Sequence, residues 1–172
     1  MYPQPIVIEP TVFAQVPDEL QLLDKESHMS RDIFRGRPLG SFLEGPSFDR
    51  DGNLLVVDIA HGRIFKISEG GEFSVLADYD GSPNGLKIHK DGRIFVADRQ
   101  NGIVEIDPVN GKVSTYIGPD QMPGYKGVND LFFASNGDLY FTDQGDSGLH
   151  DPTGRVFRQD GNGALHCLID NV

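Results

Sequence analysis

The chain has 172 residues, of which 38% are hydrophobic and 24% charged, and its formal net charge is −11. This length is enough for one domain with its own core. The acidity argues against nucleic acids and anionic membranes as partners, because both repel such a surface. No apolar stretch approaches the roughly 20 residues of a membrane-spanning helix. The single cysteine, Cys167, excludes an internal disulfide and is expected to be a small buried hydrophobic residue.

Residues 1–41 are predicted to form an N-terminal extension outside the pattern that fills the rest of the chain. Segment 12–16 predicts a short strand, and Pro17 begins a predicted helical turn. Residues 24–40 mix both charges with glycine and proline, which is typical of a loop. The first residues lack a basic segment followed by a long apolar run, so the sequence predicts a cytoplasmic protein.

From residue 42 onward the same phrase occurs three times. The copies begin at Glu44 (EGPSFDRDGNLLVVDIAHGRIFKIS), Pro83 (PNGLKIHKDGRIFVADRQNGIVEID) and Val128 (VNDLFFASNGDLYFTDQG). Each copy contains an Asp-Gly or Asn-Gly turn dipeptide between short apolar runs. With the runs that follow it, each copy predicts four short strands joined by tight glycine-containing turns. The predicted units cover residues 42–81, 82–126 and 127–172.

A repeat with turns 40 and 45 residues apart is typical of a β-propeller, in which each unit is one blade. The predicted fold is therefore all-β, a partial propeller with about three blades in residues 42–172. Propellers close with about four to eight blades, and an open ring would leave an apolar edge in water. We therefore expect a fragment of a longer protein, with dimerisation of a half ring as the alternative.

Polar residues recur at one position of the repeat, seven residues before the first residue of each turn dipeptide. They are Glu44, Asn84 and Asn129. Because equivalent positions of successive blades point at the same axis, these side chains are candidates for a shared site. Carboxylate and amide oxygens suit a hard cation such as Ca²⁺. The alternatives are that both asparagines only serve turns and that Glu44 is a solvated charge at a strand edge.

A second set of polar residues follows the turn dipeptides by seven residues and consists of Asp58, Asp98 and Asp143. We interpret these aspartates as structural residues that accept inter-strand hydrogen bonds. The alternative is that Asp143 faces the pocket. His61 and His150 lie in predicted loops that could reach a substrate, although the five histidines have no metal-ligand spacing.

The sequence resembles the SMP-30/gluconolactonase/LRE-like lactonases. The matching segments are Glu44-Gly45-Pro46, Ser82-Pro83-Asn84-Gly85-Leu86, Val128-Asn129-Asp130-Leu131 and Tyr140-Phe141-Thr142-Asp143. The resemblance covers about residues 42–172 and implies a six-bladed propeller with a divalent cation in its channel, most often Ca²⁺ or Zn²⁺. It also implies hydrolysis of sugar lactones or related esters.

By the same resemblance, Glu44 is expected to be a direct metal ligand. Asn129 would stand beside the metal and contact substrate or a bound water. Asn84, at the equivalent position of the second copy, is expected to contact substrate. Two further ligands, an Asn and an Asp, come from later blades in the family, and the Asp is the usual candidate for the general base. The catalytic residue is thus expected outside this chain. Some members carry an Arg two residues before the third-blade Asn, where this chain has Gly127.

The sequence therefore predicts a metal-dependent lactonase, of which this chain is the N-terminal half and whose partner is a small-molecule lactone. A non-catalytic propeller that binds a small ligand or serves as a scaffold is the second hypothesis, and an inert truncated product is the third. The particular lactone, the native metal and the oligomeric state are left open by the sequence.

Overall fold

The computed structural model describes residues 3–172, so the first two residues of the N-terminal extension lie outside the described part of the chain. Residues 3–172 contain twelve β-strands, two 3-10 turns and one π-helical turn. The strands form three four-stranded antiparallel sheets, each with its strands in sequence order. The all-β prediction and the four strands per repeat are confirmed. No helix in residues 3–172 is long and apolar enough to cross a membrane.

The first sheet is built from the first copy of the repeat. Its inner strands consist mainly of Leu, Ile, Val and Phe, which suit a pleated and buried backbone. The strands are β1 (Leu43–Phe48), β2 (Leu54–Asp58), β3 (Arg63–Ile67) and β4 (Phe73–Asp78).

The second and third sheets repeat this plan with the later copies. The second sheet contains β5 (Pro83–Ile88), β6 (Ile94–Asp98), β7 (Gly102–Ile106) and β8 (Val113–Ile117). The third sheet contains β9 (Val128–Phe133), β10 (Leu139–Asp143), β11 (Arg155–Gln159) and β12 (Leu165–Ile169).

The turn dipeptides close the first hairpin of each sheet, as predicted. Gly52, Gly92 and Gly137 have φ values of 82°, 94° and 91°, which favour glycine. In the first turn, the carboxylate of Asp49 accepts the N–H groups of Asp51 and Asn53, both at 2.9 Å. These bonds satisfy backbone donors that the hairpin leaves unpaired.

The sheets pack face to face, and strand alternation decides which residues meet. Leu55 and Val57 of β2 share one buried cluster with Leu86 and Val96 of the second sheet. The next residues along β6, including Phe95, point to the other side and belong to the cluster shared with the third sheet. Full burial of each such side chain contributes about 1.5–3 kcal/mol, so the sheets hold one another in register.

The N-terminal extension covers the outer face of the first sheet. Ala14 and Leu20 pack against the buried pair Val56 and Phe65. The strand expected at 12–16 is wrong, because these residues pair with no strand in the described part of the chain. Within this segment Ala14 packs on the sheet face and Val16 is buried, whereas Val12 and Phe13 are exposed.

The helical turn expected from Pro17 is confirmed as a 3-10 turn at Asp18–Leu20. The loop expected over 24–40 is only partly correct, since it contains a π-helical turn at Met29–Ile33. Ser27 and Ser30 begin this turn by reciprocal bonds, in which each backbone N–H donates to the other hydroxyl at 2.9 and 3.1 Å. These bonds satisfy the backbone N–H groups of both serines.

The two ends of the segment that contains the π-helical turn lie side by side. Leu22 N–H donates to the Gly40 carbonyl at 3.0 Å, and the buried Arg63 guanidinium donates to the Leu20 carbonyl at 2.9 Å and the Gly40 carbonyl at 3.4 Å. Residues 23–39, which we call the cover loop, therefore leave and return at one point, as an Ω-loop does.

Cys167 lies on β12 and is exposed, so its predicted burial is wrong. Strand β12 is the last strand of its sheet and has a hydrogen-bonded neighbour on one side only. The corresponding strands β4 and β8 are also largely exposed. The apolar sequence around Cys167 therefore marks a strand without marking burial.

Candidate functional site

A β-bulge lies near the start of the first strand of every sheet. Within residues 44–47 of β1, 83–86 of β5 and 128–131 of β9, the first strand has one more residue than its partner. A bulge re-aims the side chains beside it. These segments contain the three predicted site residues, Glu44, Asn84 and Asn129.

The three bulges lie against one another because glycine replaces a side chain between them. A Cβ atom added to Gly45 would lie 2.5 Å from the Asn84 carbonyl oxygen. A Cβ atom added to Gly85 would lie 3.0 Å from the Asn129 carbonyl oxygen and 2.7 Å from the Asp130 Cα. Both distances are shorter than van der Waals contact, so β1, β5 and β9 approach as closely as bare backbone allows. The predicted site residues thus stand on three neighbouring strands at one end.

Buried aspartates fix where each first strand begins. The last residue of the second strand in every sheet is a fully buried aspartate that accepts the backbone N–H of the residue before the first strand. The three bonds are Phe42 to Asp58 at 2.8 Å, Ser82 to Asp98 at 2.9 Å and Gly127 to Asp143 at 2.7 Å. The structural interpretation of these aspartates is confirmed. The alternative that Asp143 faces the pocket is wrong, because its carboxylate is buried and fully bonded.

Arginine neutralises two of these buried carboxylates. Arg63 pairs with Asp58 at 2.6 Å, and Arg155 pairs with Asp143, and in each case the arginine is the residue directly across the ladder. Buried charges require such partners, since an isolated one costs several kcal/mol.

In the second sheet, Gly102 occupies the ladder position opposite Asp98 that holds an arginine in the other two sheets. The Asp98 carboxylate is stabilised by hydrogen bonds instead. The Tyr79 hydroxyl donates to Asp98 at 2.9 Å, and the N–H groups of Gln100 and Asn101 each donate to it at 2.8 Å. Burial, reinforced by the negative charge of Asp98, raises the pKa of Tyr79 far above its usual range. Tyr79 therefore stays a neutral hydrogen-bond donor.

Asn84 and Asn129 line one cavity of 260 Å³ at this end of the sheets. Glu44 stands on the adjoining strand β1 with an exposed side chain and is not part of the cavity wall. The structure therefore brings Asn84 and Asn129 to a common space, while Glu44 stands at the equivalent position of the adjoining strand. His61 and His150 do not line this cavity. His61 is buried and its Nε2 lies 2.8 Å from the Leu39 carbonyl.

Sequence reasoning missed a further set of wall residues. They directly follow the three buried aspartates and are Ile59, Arg99 and Gln144. All three stand eight residues after the first residue of a turn dipeptide. The equal-offset argument that selected Glu44, Asn84 and Asn129 could have found them, but their differing chemistry hid the pattern.

The cover loop forms the opposite wall of the cavity with His28, Met29 and Ile33. Met29 is buried, whereas Ile33 is 59% exposed. His28 lies 3.1 Å from Asp32 one turn along the loop. No repeat covers this segment, so the sequence carried no periodic signal for its role.

Arg99 is a basic residue in the wall of this cavity. Its Nη2 lies 2.7 Å from Asp146 Oδ1, and its Nη1 donates to the Gly145 carbonyl at 3.1 Å. A Cβ atom added to Gly127 would lie 2.8 Å from Arg99 Cγ. The arginine side chain thus fills the space that any side chain at position 127 would need.

The side-chain oxygens of the three predicted site residues suit a hard cation, but they are too few to complete its coordination. Glu44 supplies a carboxylate, and Asn84 and Asn129 supply amide oxygens, whereas Ca²⁺ takes about six to eight oxygen ligands. Among residues 3–172, no group of three or more His, Cys, Asp or Glu side chains is placed to hold a metal ion. A bound cation would need further ligands from water or from other protein groups.

Comparison with known proteins gives both sequence and fold relatives. The chain is 37% identical over 110 residues to lactonase drp35 of Staphylococcus aureus, an alignment that covers 60% of this chain and 34% of that protein. The fold is similar to a gluconolactonase, XC5397 from Xanthomonas campestris, with a TM-score of 0.66, 22% identity, and coverage of 76% of this chain and 48% of that one.

A calcium-binding protein, regucalcin from Agrobacterium tumefaciens, has a TM-score of 0.62 at 18% identity and is matched over 76% of this chain and 44% of its own. The chain thus spans about a third of the curated relative and about half of the solved structures. The family model of the SMP-30/Gluconolactonase/LRE-like region matches residues 42–172, the same residues that form the three sheets. This chain therefore belongs to the SMP-30/gluconolactonase/LRE-like family.

Proposed function

We propose that the protein hydrolyses a sugar lactone or a related cyclic ester, and that residues 42–172 supply three blades of a six-bladed propeller, preceded by residues 1–41 as an extension. The names lactonase and gluconolactonase among its relatives support this reaction. The observation that carries the proposal is the convergence of Asn84 and Asn129 on one cavity, with Glu44 at the same position of the neighbouring strand.

A divalent cation is part of the proposal, with Ca²⁺ as the first candidate and Zn²⁺ as the second. Glu44 and Asn129 would hold it, and the calcium-binding neighbour supports this choice. When bound, such a cation polarises an ester carbonyl and stabilises negative charge on its oxygen. Amide ligands would hold it without cancelling its charge, which explains why asparagine suits this position.

The residues of this chain would bind and orient the lactone. The carboxamides of Asn84 and Asn129 can donate to hydroxyl or ring oxygens and accept from hydroxyl groups. Two residues before each amide, the N–H groups of Ser82 and Gly127 donate to Asp98 and Asp143, so the strand starts that carry the amides are held in place before substrate arrives. Met29 and Ile33 of the cover loop would shield the bound ring from water. The carboxylate that takes the proton of the attacking water is expected outside this chain.

The test is lactone hydrolysis by the complete protein that contains this chain. Release of acid from a six-membered aldonolactone is followed by pH-stat after chelation and after addition of Ca²⁺ or Zn²⁺. We expect Glu44→Gln to reduce the metal-stimulated rate at least about 100-fold, because the variant loses a charged ligand. Glu69→Gln removes an equal charge from an exposed turn and serves as the matched control.

Undiminished hydrolysis by Glu44→Gln would remove the proposed role of this residue. Binding of the lactone without turnover, under every metal condition, would instead favour a non-catalytic ligand-binding propeller. If the complete protein neither binds nor hydrolyses any of the lactones tested, the proposed function itself is contradicted.

A further inference from the structure

Arg99 places a positive charge in a cavity of an otherwise acidic protein. It lines the 260 Å³ cavity with Asn84 and Asn129 and also a second cavity of 340 Å³, whose wall shares His28 and Met29 with the first. The second volume alone is within the range of about 300–1,000 Å³ for small-molecule sites. Arg99 therefore borders two adjoining cavities.

The hydrogen-bonding capacity of this guanidinium is only partly used. Arginine has five N–H donors, and within residues 3–172 two of them have acceptors, the Gly145 carbonyl and Asp146 Oδ1. The Asp146 side chain is 94% exposed and that of Arg99 42%. An ion pair this exposed contributes little because water and salt screen it. Asp146 is thus a partner that a bound anion can replace.

The other basic groups of the site region are arranged differently. Arg63 and Arg155 are committed to buried carboxylates and backbone carbonyls. His28, which also lines the cavity, is paired with Asp32. The position and free donors of Arg99 set it apart from Arg63 and Arg155, whose carboxylate partners are buried in the sheets.

We propose that Arg99 selects lactones that carry an anionic substituent, a carboxylate or a phosphate ester, on a carbon remote from the ester bond. This inference rests on the proposed function and names its substrate class. The planar guanidinium would bind two oxygens of the anion while the ring lies against Asn84 and Asn129. Such local attraction is needed because the net charge of −11 repels free anions at long range.

The experiment compares three aldonolactones in the complete protein: one neutral, one with a terminal carboxylate and one with a terminal phosphate. We expect kcat/KM to be at least about 10-fold higher for one or both anionic substrates. Arg99→Gln should lower the ratio of anionic to neutral kcat/KM about 10- to 100-fold, the range for hydrogen bonds to a charged group. Arg99→Lys keeps the charge without the paired donors, so it should retain part of the ratio.

Two further variants separate substrate binding from support of the fold. Asp146→Asn removes the competing carboxylate and should raise the ratio about 2- to 5-fold, as expected for a weak exposed pair. Arg93→Gln removes an equal charge at the opposite end of β6, where Arg93 pairs with Asp91 at 2.9 Å, and should leave the ratio unchanged. If Arg99 only positioned the loop at 145–146, its loss would lower activity on all three lactones alike.

Binding of the corresponding cyclic ethers, which lack the ester carbonyl, keeps this inference distinct from lactone hydrolysis. Calorimetry should give tighter binding of the anionic ether than of the neutral one in the wild type, and loss of that difference in Arg99→Gln. A wild type that binds anionic ethers selectively but hydrolyses nothing would support Arg99 and contradict only the proposed reaction. The inference would be overturned by equal affinities for neutral and anionic ethers. It would also be overturned if Arg99→Gln left the ratio of anionic to neutral kcat/KM unchanged.

Discussion

Replacing Gly85 with alanine tests the close approach of the first strands. The added Cβ would lie 2.7 Å from the Asp130 Cα and 3.0 Å from the Asn129 carbonyl oxygen, both backbone atoms that cannot rotate away. Ordinary contact begins near 3.4 Å. Strands β5 and β9 must therefore separate by roughly 0.7 Å, the difference between 3.4 and 2.7 Å.

Overpacking of this kind costs about 1–3 kcal/mol. For a chain of this size, each kcal/mol lowers Tm by about 2–4 °C. We therefore expect Gly85→Ala to lower Tm by about 2–12 °C, and to reduce any hydrolysis about 100-fold, since displacements near 1 Å have that effect on positioned groups.

The assay is thermal unfolding followed by circular dichroism, with urea unfolding as a second measurement. Gly148→Ala is the matched control, because a Cβ there meets no atom within 4 Å. If Gly85→Ala unfolds at the same temperature and urea concentration as Gly148→Ala and the wild type, the first strands do not meet as described.

Two further predictions concern charge. Arg63→Met would leave the Asp58 carboxylate buried without its cation, so we expect a loss of about 3–5 kcal/mol in urea unfolding, and wild-type stability in this variant would refute the pairing. The N–H groups of Val109 and then Asn110 hold the pKa of Asp107 below its usual range. Its stabilising contribution is therefore complete above the unfolded pKa of about 3.9 and disappears as pH falls through the lower folded value. We expect the stability of Asp107→Asn, measured by unfolding at pH values from 6 to 2, to fall less steeply below about pH 4 than that of the wild type. Parallel curves for the two proteins would contradict this.

Equal offsets in the sequence were sufficient to predict the strands and hairpins of the three sheets and the shared strand position of Glu44, Asn84 and Asn129. They worked because each copy folds into the same sheet, so that Asp58, Asp98 and Asp143 meet equivalent backbone donors. The offsets were also informative about convergence, since Asn84 and Asn129 reach one cavity. Periodicity thus predicts where a residue lies in its sheet, whatever the type of its side chain.

Features outside the repeat could not be predicted in the same way. The segment around Ala14 has the composition of a strand, yet it pairs with no strand among residues 3–172, and Ala14 packs on the face of the first sheet. The π-helical turn depends on the local pair Ser27 and Ser30 and on the sheet surface beneath it. The place of Arg99 depends on a neighbour 28 residues later, Gly127, whose missing side chain leaves room for it.

The cover loop is anchored at its ends through main-chain carbonyls, that of its last residue Leu39 and those of the flanking Leu20 and Gly40, which His61 and Arg63 bind. Every amino acid offers the same carbonyl. The loop can consequently exchange its side chains in evolution, or in the laboratory, while its anchorage persists. Exposed residues such as Ile33 are therefore open to diversification, and a library confined to exposed positions of this loop could alter ligand preference without disturbing the framework beneath it.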